Sequence, residues 1–517
     1  MNRQFILFAL LFTFVGMNVS VVAQEANDPW SQSYQAVQFS DPLVSHDPIT
    51  RVMPAVAYRS GIGGYLENPA SMALFDESMG SFGLVHRSVN ESANFLGTNS
   101  SLQDRQTGIS NLGFVYRVPT VQGSLVWGAG YSQHSYYNRT LPVSGFNERS
   151  SITDQFKVPG NEYTETAFSA YAIDYGDTVN DWDESIFRVG FNDAGTYLGI
   201  DQESEFKERG MAGDYSVFMA TEFLENFMVG LSVGVTSGRH TYRRTHLEVD
   251  RQEQYSGTVV DSDEDDQPDT DIHSILLDDE VRSEFFALAV NAGVLYQIHP
   301  HLQLGAAYTL PSRLTVEEEF DGQISSTFDN GGGFEGDLQT QFEYGVRSPG
   351  RVALGLALTN VGPISVSLAA DRRDYGKTEI SFDSDLFEQE RDENQYIAQM
   401  YRSVWNLRGG VELSPGDGWN LRAGYGVRPS RFAMGGATRN EISFGIGFGV
   451  MDGGRLELAA QTTRWSGEER VVYEYGEYDY SVLPDAPPIS TMRQERAMMD
   501  GNLWQFMATF QISMSDW

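Results

Sequence analysis

The chain has 517 residues, and 35 Lys and Arg against 71 Asp and Glu leave a formal charge of −36. It contains no cysteine, which excludes disulfides, thiolate metal sites and cysteine nucleophiles. So acidic a surface also excludes nucleic acid as a partner, because phosphate binding needs a basic face.

Met1 to Ala23 reads as an export signal: Arg3 gives the positive end, Phe5 to Val15 the apolar core, and Val21-Val22-Ala23 a small-residue cleavage site. The next segment, residues 24–78, carries Pro29, Pro42, Pro48, Pro54 and Pro69 and has no clean period. Its aromatic and aliphatic content (Val56, Tyr58, Tyr65, Leu66, Met72, Phe75) suits a plug folded into a lumen better than a disordered tail.

From residue 79 to 517 the pattern is period two, the signature of strands. It is plainest in the second half. Leu302, Leu304, Ala306, Tyr308 and Leu310 alternate with smaller or polar residues, as do Val352, Leu354, Leu356 and Leu358. Trp419, Leu421, Ala423, Tyr425 and Val427 face away from Asn420, Arg422, Gly424, Gly426 and Arg428, and Ile442 to Val450 and Trp504 to Met514 repeat the alternation. Short turns (119–123, 224–226, 299–301, 361–363, 414–418, 452–454) alternate with long polar connections (88–108, 139–211, 245–283, 321–347, 383–400, 429–439, 475–500). That asymmetry, together with glycine-rich strands of modest hydrophobicity, predicts an all-β transmembrane antiparallel barrel of about fourteen strands. The aromatic Trp517 closes the last strand. Closure follows from the solvent: an unpaired backbone N–H or C=O in hydrocarbon costs several kcal/mol.

Asn68-Pro69-Ala70, followed by Leu74-Phe75-Asp76 and a strand through Phe82-Gly83-Leu84, resembles the hatch-to-barrel junction of the FadL-type family of outer-membrane fatty acid and hydrocarbon transporters. Val126-Trp127-Gly128-Ala129 resembles that family's third strand, and Phe286 to Leu310 its sixth and seventh. The resemblance implies a monomeric barrel among outer-membrane lipids and lipopolysaccharide, closed by an N-terminal hatch. It further implies passive uptake of a hydrophobic small molecule, with sideways release at a kink in the third strand. That kink would fall at Ser132, Gln133 and His134, where Tyr136 stands in place of the family's glycine. On the fifth strand, parity turns Gly230 to Arg244 inward at every second residue, and Arg244 matches an arginine that the resemblance implies would meet a ligand carboxylate. The alternative for Arg244 is charge balance against Glu412, Glu441 or Glu457.

Asp261, Asp263 and Asp265 alternate as in calcium loops, but the sharp-turn glycine is replaced by Gln267-Pro268, and such runs are more often solvated faces. No histidine pattern suits a metal, and no glycine-rich loop suits a phosphate, so the expectation is neither an enzyme nor a cofactor protein. A general or ion-selective porin and a surface adhesin or receptor remain the rival classes.

Overall fold

A computed structural model describes residues 31–41, 45–158, 161–174, 184–185, 187, 190–191, 197–255, 270–382, 386–416, 418–434, 436–478 and 489–514. The export signal, Asp261, Asp263, Asp265 and Trp517 lie outside the described residues.

Eighteen hydrogen-bonded segments form one sheet. Four of them continue a strand past a break, so the wall has fourteen antiparallel strands. These are β1 (Met79–Phe95), β2 (Thr98–Val118), β3 (Leu125–Tyr136 and Arg139–Asn147), β4 (Ile200–Leu224) and β5 (Phe227–Val249). Next come β6 (Ile272–His299), β7 (Leu302–Thr309 and Ser312–Phe328), β8 (Gly333–Ser348 and Arg351–Val361) and β9 (Ile364–Asp374 and Glu379–Ser381). The circuit ends with β10 (Ser403–Gly416), β11 (Trp419–Arg428), β12 (Arg439–Met451), β13 (Gly454–Tyr478) and β14 (Ile489–Ser513). Each strand pairs with its sequence neighbours. β14 then pairs with β1 from Met79–Ser513 to Asn94–Met498, which closes the barrel.

Facing follows the expected parity. Leu354, Leu358, Leu421, Tyr425, Ile442 and Phe444 are exposed on the outer wall, whereas Ser365, Ser367, Glu412, Arg422, Glu441 and Gln505 are buried on the inner one. The outer apolar belt has a sharp upper edge. Along β6 it runs from Ile298 up to Phe286, and beyond that the outward residues are Glu284, Arg282, Glu280 and Asp278.

The stretches 88–108 and 321–347, expected to be loops, are largely strand, and so are the described residues of 245–283. β1 and β2 meet in a tight turn at Leu96-Gly97, and β7 and β8 turn around Asn330-Gly331. The reason is an inverted pattern. Above the belt Val316, Phe320, Ile324 and Phe328 point inward while Glu317, Glu319 and Asp321 point outward, so the period persists with its polarity reversed. β6 alone has 28 residues, a contour of roughly 90 Å at ~3.3 Å per residue. Even steeply tilted it overshoots a hydrocarbon core of ~30 Å.

The interior is filled at both rims. Near the short-turn rim the N-terminal segment packs on the inner wall, and Val56, Tyr58, Tyr65, Leu66, Met72 and Phe75 are all buried. Within it, α1 (Gln32–Phe39) is capped by Ser31. α2 (Pro48–Val52) is capped by Asp47, whose carboxylate accepts from Ile49 N at 3.0 Å. At the opposite rim the β3–β4 connection turns inward through α3 (Thr153–Phe156) and α4 (Thr164–Ser169). Its Ile152, Phe156, Tyr163, Ala167 and Ile173 join an apolar cluster with Phe206, Tyr242, Ile324 and Tyr473 from the wall. α5 (Phe387–Met400), between β9 and β10, sets Ile397 and Met400 against Tyr34 and Val37 of α1.

Leu354→Arg should cost about 2–4 kcal/mol, the range for arginine near the midplane of a barrel's lipid face. Gln341→Arg, above the belt and beside Glu319, should cost nearly nothing. Urea unfolding in lipid vesicles measures both.

Candidate functional site

Between the two fillings lies a cavity of about 370 Å³. The N-terminal segment gives it Tyr34, Asp41, His46, Arg51 and Glu67, and the wall gives it Arg87, Glu91, Tyr136, Arg139, Glu208, Arg408 and Glu441, among others. Its described lining includes eight arginines and seven carboxylates. Buried charges are costly unless paired, and here all but one of the described cavity arginines are. Arg139 meets Glu91 at 2.6 Å, Arg408 meets Glu67 at 2.7 Å, Arg428 meets Glu441 at 2.9 Å and Arg439 meets Glu468 at 3.3 Å. Arg431 reaches Asp41 at 3.0 Å, Arg351 reaches Asp371 at 3.8 Å and Arg51 reaches Glu441 at 3.9 Å. Glu208 gathers Arg470 at 2.6 Å and His240 at 3.6 Å. Among the described residues Arg87 is the one cavity arginine with no carboxylate within ion-pair distance. Its guanidinium lies 4.6 Å above the Tyr136 ring.

A second, smaller cavity of about 50 Å³ shares Asp41, His134 and Arg351 with the first. It is otherwise more apolar, with Phe39, Leu66, Ala287, Ala289, Leu310 and Leu314.

Asn68 is a hub. Its Oδ1 accepts from Ala70 N at 3.0 Å and so caps the 3-10 turn Pro69–Leu74, with Pro69 at the first position, where a missing N–H costs nothing. Its Nδ2 donates to Val56 O at 2.6 Å and, across to β6, to Val294 O at 3.1 Å. The wall opposite is glycine for a steric reason: a Cβ at Gly293 would overlap Asn68 Oδ1, and one at Gly305 would overlap Val56 O.

Ser132, Gln133 and His134 stand at a break in the wall. β2 and β3 pair from Val118–Leu125 up to Asn111–Ser132, and no described ladder pair joins them above that point. On its other edge β3 pairs Gln133 with Gly213 and Ser135 with Ala212, leaving His134 as the extra residue of a bulge. His134 is buried and lines both cavities; it does not face solvent. Further up, Ser100 Oγ donates to Pro142 O, and Arg209 of β4 spans to Asp104 of β2 at 3.6 Å.

Arg244 is inward and buried, as parity required. Its carboxylate partner is Asp279 on β6, not Glu412, Glu441 or Glu457. Nη2 donates to Oδ2 at 2.6 Å and Nε to Oδ1 at 3.2 Å, and Nη1 donates to Val472 O at 3.2 Å. Asp279 also accepts from Tyr163 OH at 2.7 Å. Arg244 thus anchors the inward connection and does not line the cavity.

A second anchor of that connection is Glu248. It accepts from Ile152 N at 2.7 Å, Gln202 Nε2 at 2.6 Å and Ser151 Oγ. Neither Glu248 nor the Arg87–Tyr136 contact was found from sequence. Arg87 and Glu91 share the inward parity of Val85, and charge at that parity was the available signal.

By sequence, no family model and no curated protein matches the chain. Solved structures do share its fold. The P. putida toluene transporter TodX superposes with a TM-score of 0.53 at 13% identity, covering 91% of this chain and 99% of that one. A Pseudomonas aeruginosa FadL homologue gives 0.50 at 12% identity, covering 91% and 98%. The monoaromatic hydrocarbon channel CymD gives 0.50 at 12%, with the same coverage. The chain therefore has the fold of FadL-type barrels.

Asn68→Ala removes a cap and strands two carbonyls, and caps alone are worth ~0.5–2 kcal/mol. Protease should then cut within residues 45–78 faster while heat-modifiable gel migration of the barrel stays unchanged. Glu248→Ala leaves buried donors without an acceptor, a loss of about 1–3 kcal/mol. Amide exchange at Ile152 should accelerate, with the Arg244–Asp279 region less affected.

Proposed function

We propose that the protein is a monomeric outer-membrane barrel, exported by Met1–Ala23, that takes up hydrophobic small molecules passively and releases them sideways into the bilayer. Residues 24–78 are its hatch. Outer-membrane lipids and lipopolysaccharide surround it, and the proposal needs neither a cofactor nor catalysis.

The observation that carries the reading is the wall break above Asn111–Ser132 beside a cavity that lies between packed apolar clusters at the two rims. A greasy solute leaving along the axis would meet water, whereas a side exit delivers it to hydrocarbon and keeps the hydrophobic gain of burial. The solved neighbours are named as toluene and monoaromatic hydrocarbon channels and a FadL homologue, which agrees with this class of cargo. Carboxylate recognition at Arg244 would require the ligand to displace Asp279, so we assign Arg244 to charge balance.

Cells carrying the gene should accumulate labelled oleate or toluene faster than a deletion strain, and no difference across several apolar substrates removes the proposal. Planar-bilayer recording addresses the porin alternative: a barrel filled at both rims should show little steady conductance. An adhesin would lose partner binding when the long-connection rim is trimmed, with uptake unchanged.

A further inference from the structure

We propose that Tyr136 is the stopper of the β2–β3 break and that Arg87 is the positioning residue that holds it there; this rests on the reading of the break as the exit. The ring sits where the ladder has stopped. Tyr136 OH reaches across to Ile109 O on β2 at 3.5 Å, and a Cβ built on Gly108 would lie 3.8 Å from Tyr136 Cε1, so the ring covers that part of the β2 edge. Arg87, from the inner face of β1, grips the same residue twice: its guanidinium stacks 4.6 Å over the ring and its Nη1 donates to Tyr136 O at 3.2 Å. Among the described residues every other arginine of the cavity has a carboxylate within ion-pair distance, and the Arg87 guanidinium is spent on this ring instead.

The grip also links the stopper to the N-terminal segment. His46 stands edge-on to Tyr136, with ring centroids 5.3 Å apart and planes at 89°, and its Nδ1 is 2.8 Å from Gln133 O. His46 thus takes a carbonyl of the bulge and a face of the stopper at once. Movement of residues 45–47 therefore removes one support, and withdrawal of Arg87 removes another, leaving the long hydroxyl contact to Ile109 O. A swing of the Tyr136 side chain, with no change in the closed part of the wall, would then join the cavity to the lipid. Outside the break, Tyr131 and Tyr215 form a ring pair at 4.7 Å on the lipid face.

The absence of cysteine allows a clean test. Gly108→Cys places a single thiol behind the ring, and its Cβ would meet Gln133 Oε1 at an ordinary 3.7 Å. The full mature barrel is placed in lipid vesicles, folded protein is selected by heat-modifiable migration, and labelling by a lipid-soluble maleimide is timed. Slow labelling is expected for Gly108→Cys alone and with Tyr136→Phe, which keeps the ring. Labelling should be several-fold faster with Tyr136→Ala and with Arg87→Gln, and slow again with Arg87→Lys, which keeps the cation. An unchanged rate in Tyr136→Ala overturns the stopper. An unchanged rate in Arg87→Gln, or no rescue by lysine, overturns the positioning role. Uptake of labelled toluene by the same variants separates the two proposals: labelling that moves while uptake is absent keeps the stopper and removes the transport reading.

Discussion

The constraint on which this molecule depends is that no backbone hydrogen bond can be left open toward oil. The pairing of β14 with β1 satisfies it around the circumference. Where the ladder fails, side chains take over as partners. At the β2–β3 break Gln133 O is met by His46, Tyr136 O by Arg87, and Ile109 O by the Tyr136 phenol. The break is therefore a place where strand-to-strand bonds, which are rigid, have been exchanged for bonds to rotatable groups. An exit through the wall becomes compatible with a stable barrel on those terms alone.

The same accounting governs the lumen. Its arginines and carboxylates sit behind a hydrocarbon-facing wall, and each pair is placed to neutralise a charge that could not stand alone. Several pairs tie the N-terminal segment to the barrel, as Glu67 does to Arg408 of β10 and Asp41 to Arg431 of the β11–β12 connection. The segment is thus fixed by polar contacts that water entering the lumen can replace, together with apolar packing in which Tyr65, Leu66, Met72 and Phe75 meet Val115, Phe218 and Leu295 of the wall. Asn68 and the glycines facing it set how closely it can approach.

Much of the fold was legible because the lipid face imposes an apolar residue at every second position. Strand number, facing, and the inward turn of the β5 residues from Ser232 to Arg244 all follow from that single period. What was missed lies where the period inverts. Above the belt the wall shows water outside and an apolar cluster inside, so the stretch 321–328 reads as loop although it is strand. The cavity was legible only in fragments. Asn68 and the stretch 132–134 stand out in the sequence, but Arg244 meets Asp279 through strand register, and Arg87 meets Tyr136 through a break that no local pattern encodes.

The collar of strand above the belt has a consequence for the medium it suits. Its outer surface sets Arg282 among Glu280, Glu319 and Asp321, and carboxylates outnumber cations around it. Mutual repulsion along such a rim acts over ~10 Å in 0.1 M salt and only ~3 Å at 1 M. Rising ionic strength therefore weakens that repulsion, and brine strains the exposed cylinder less than fresh water does.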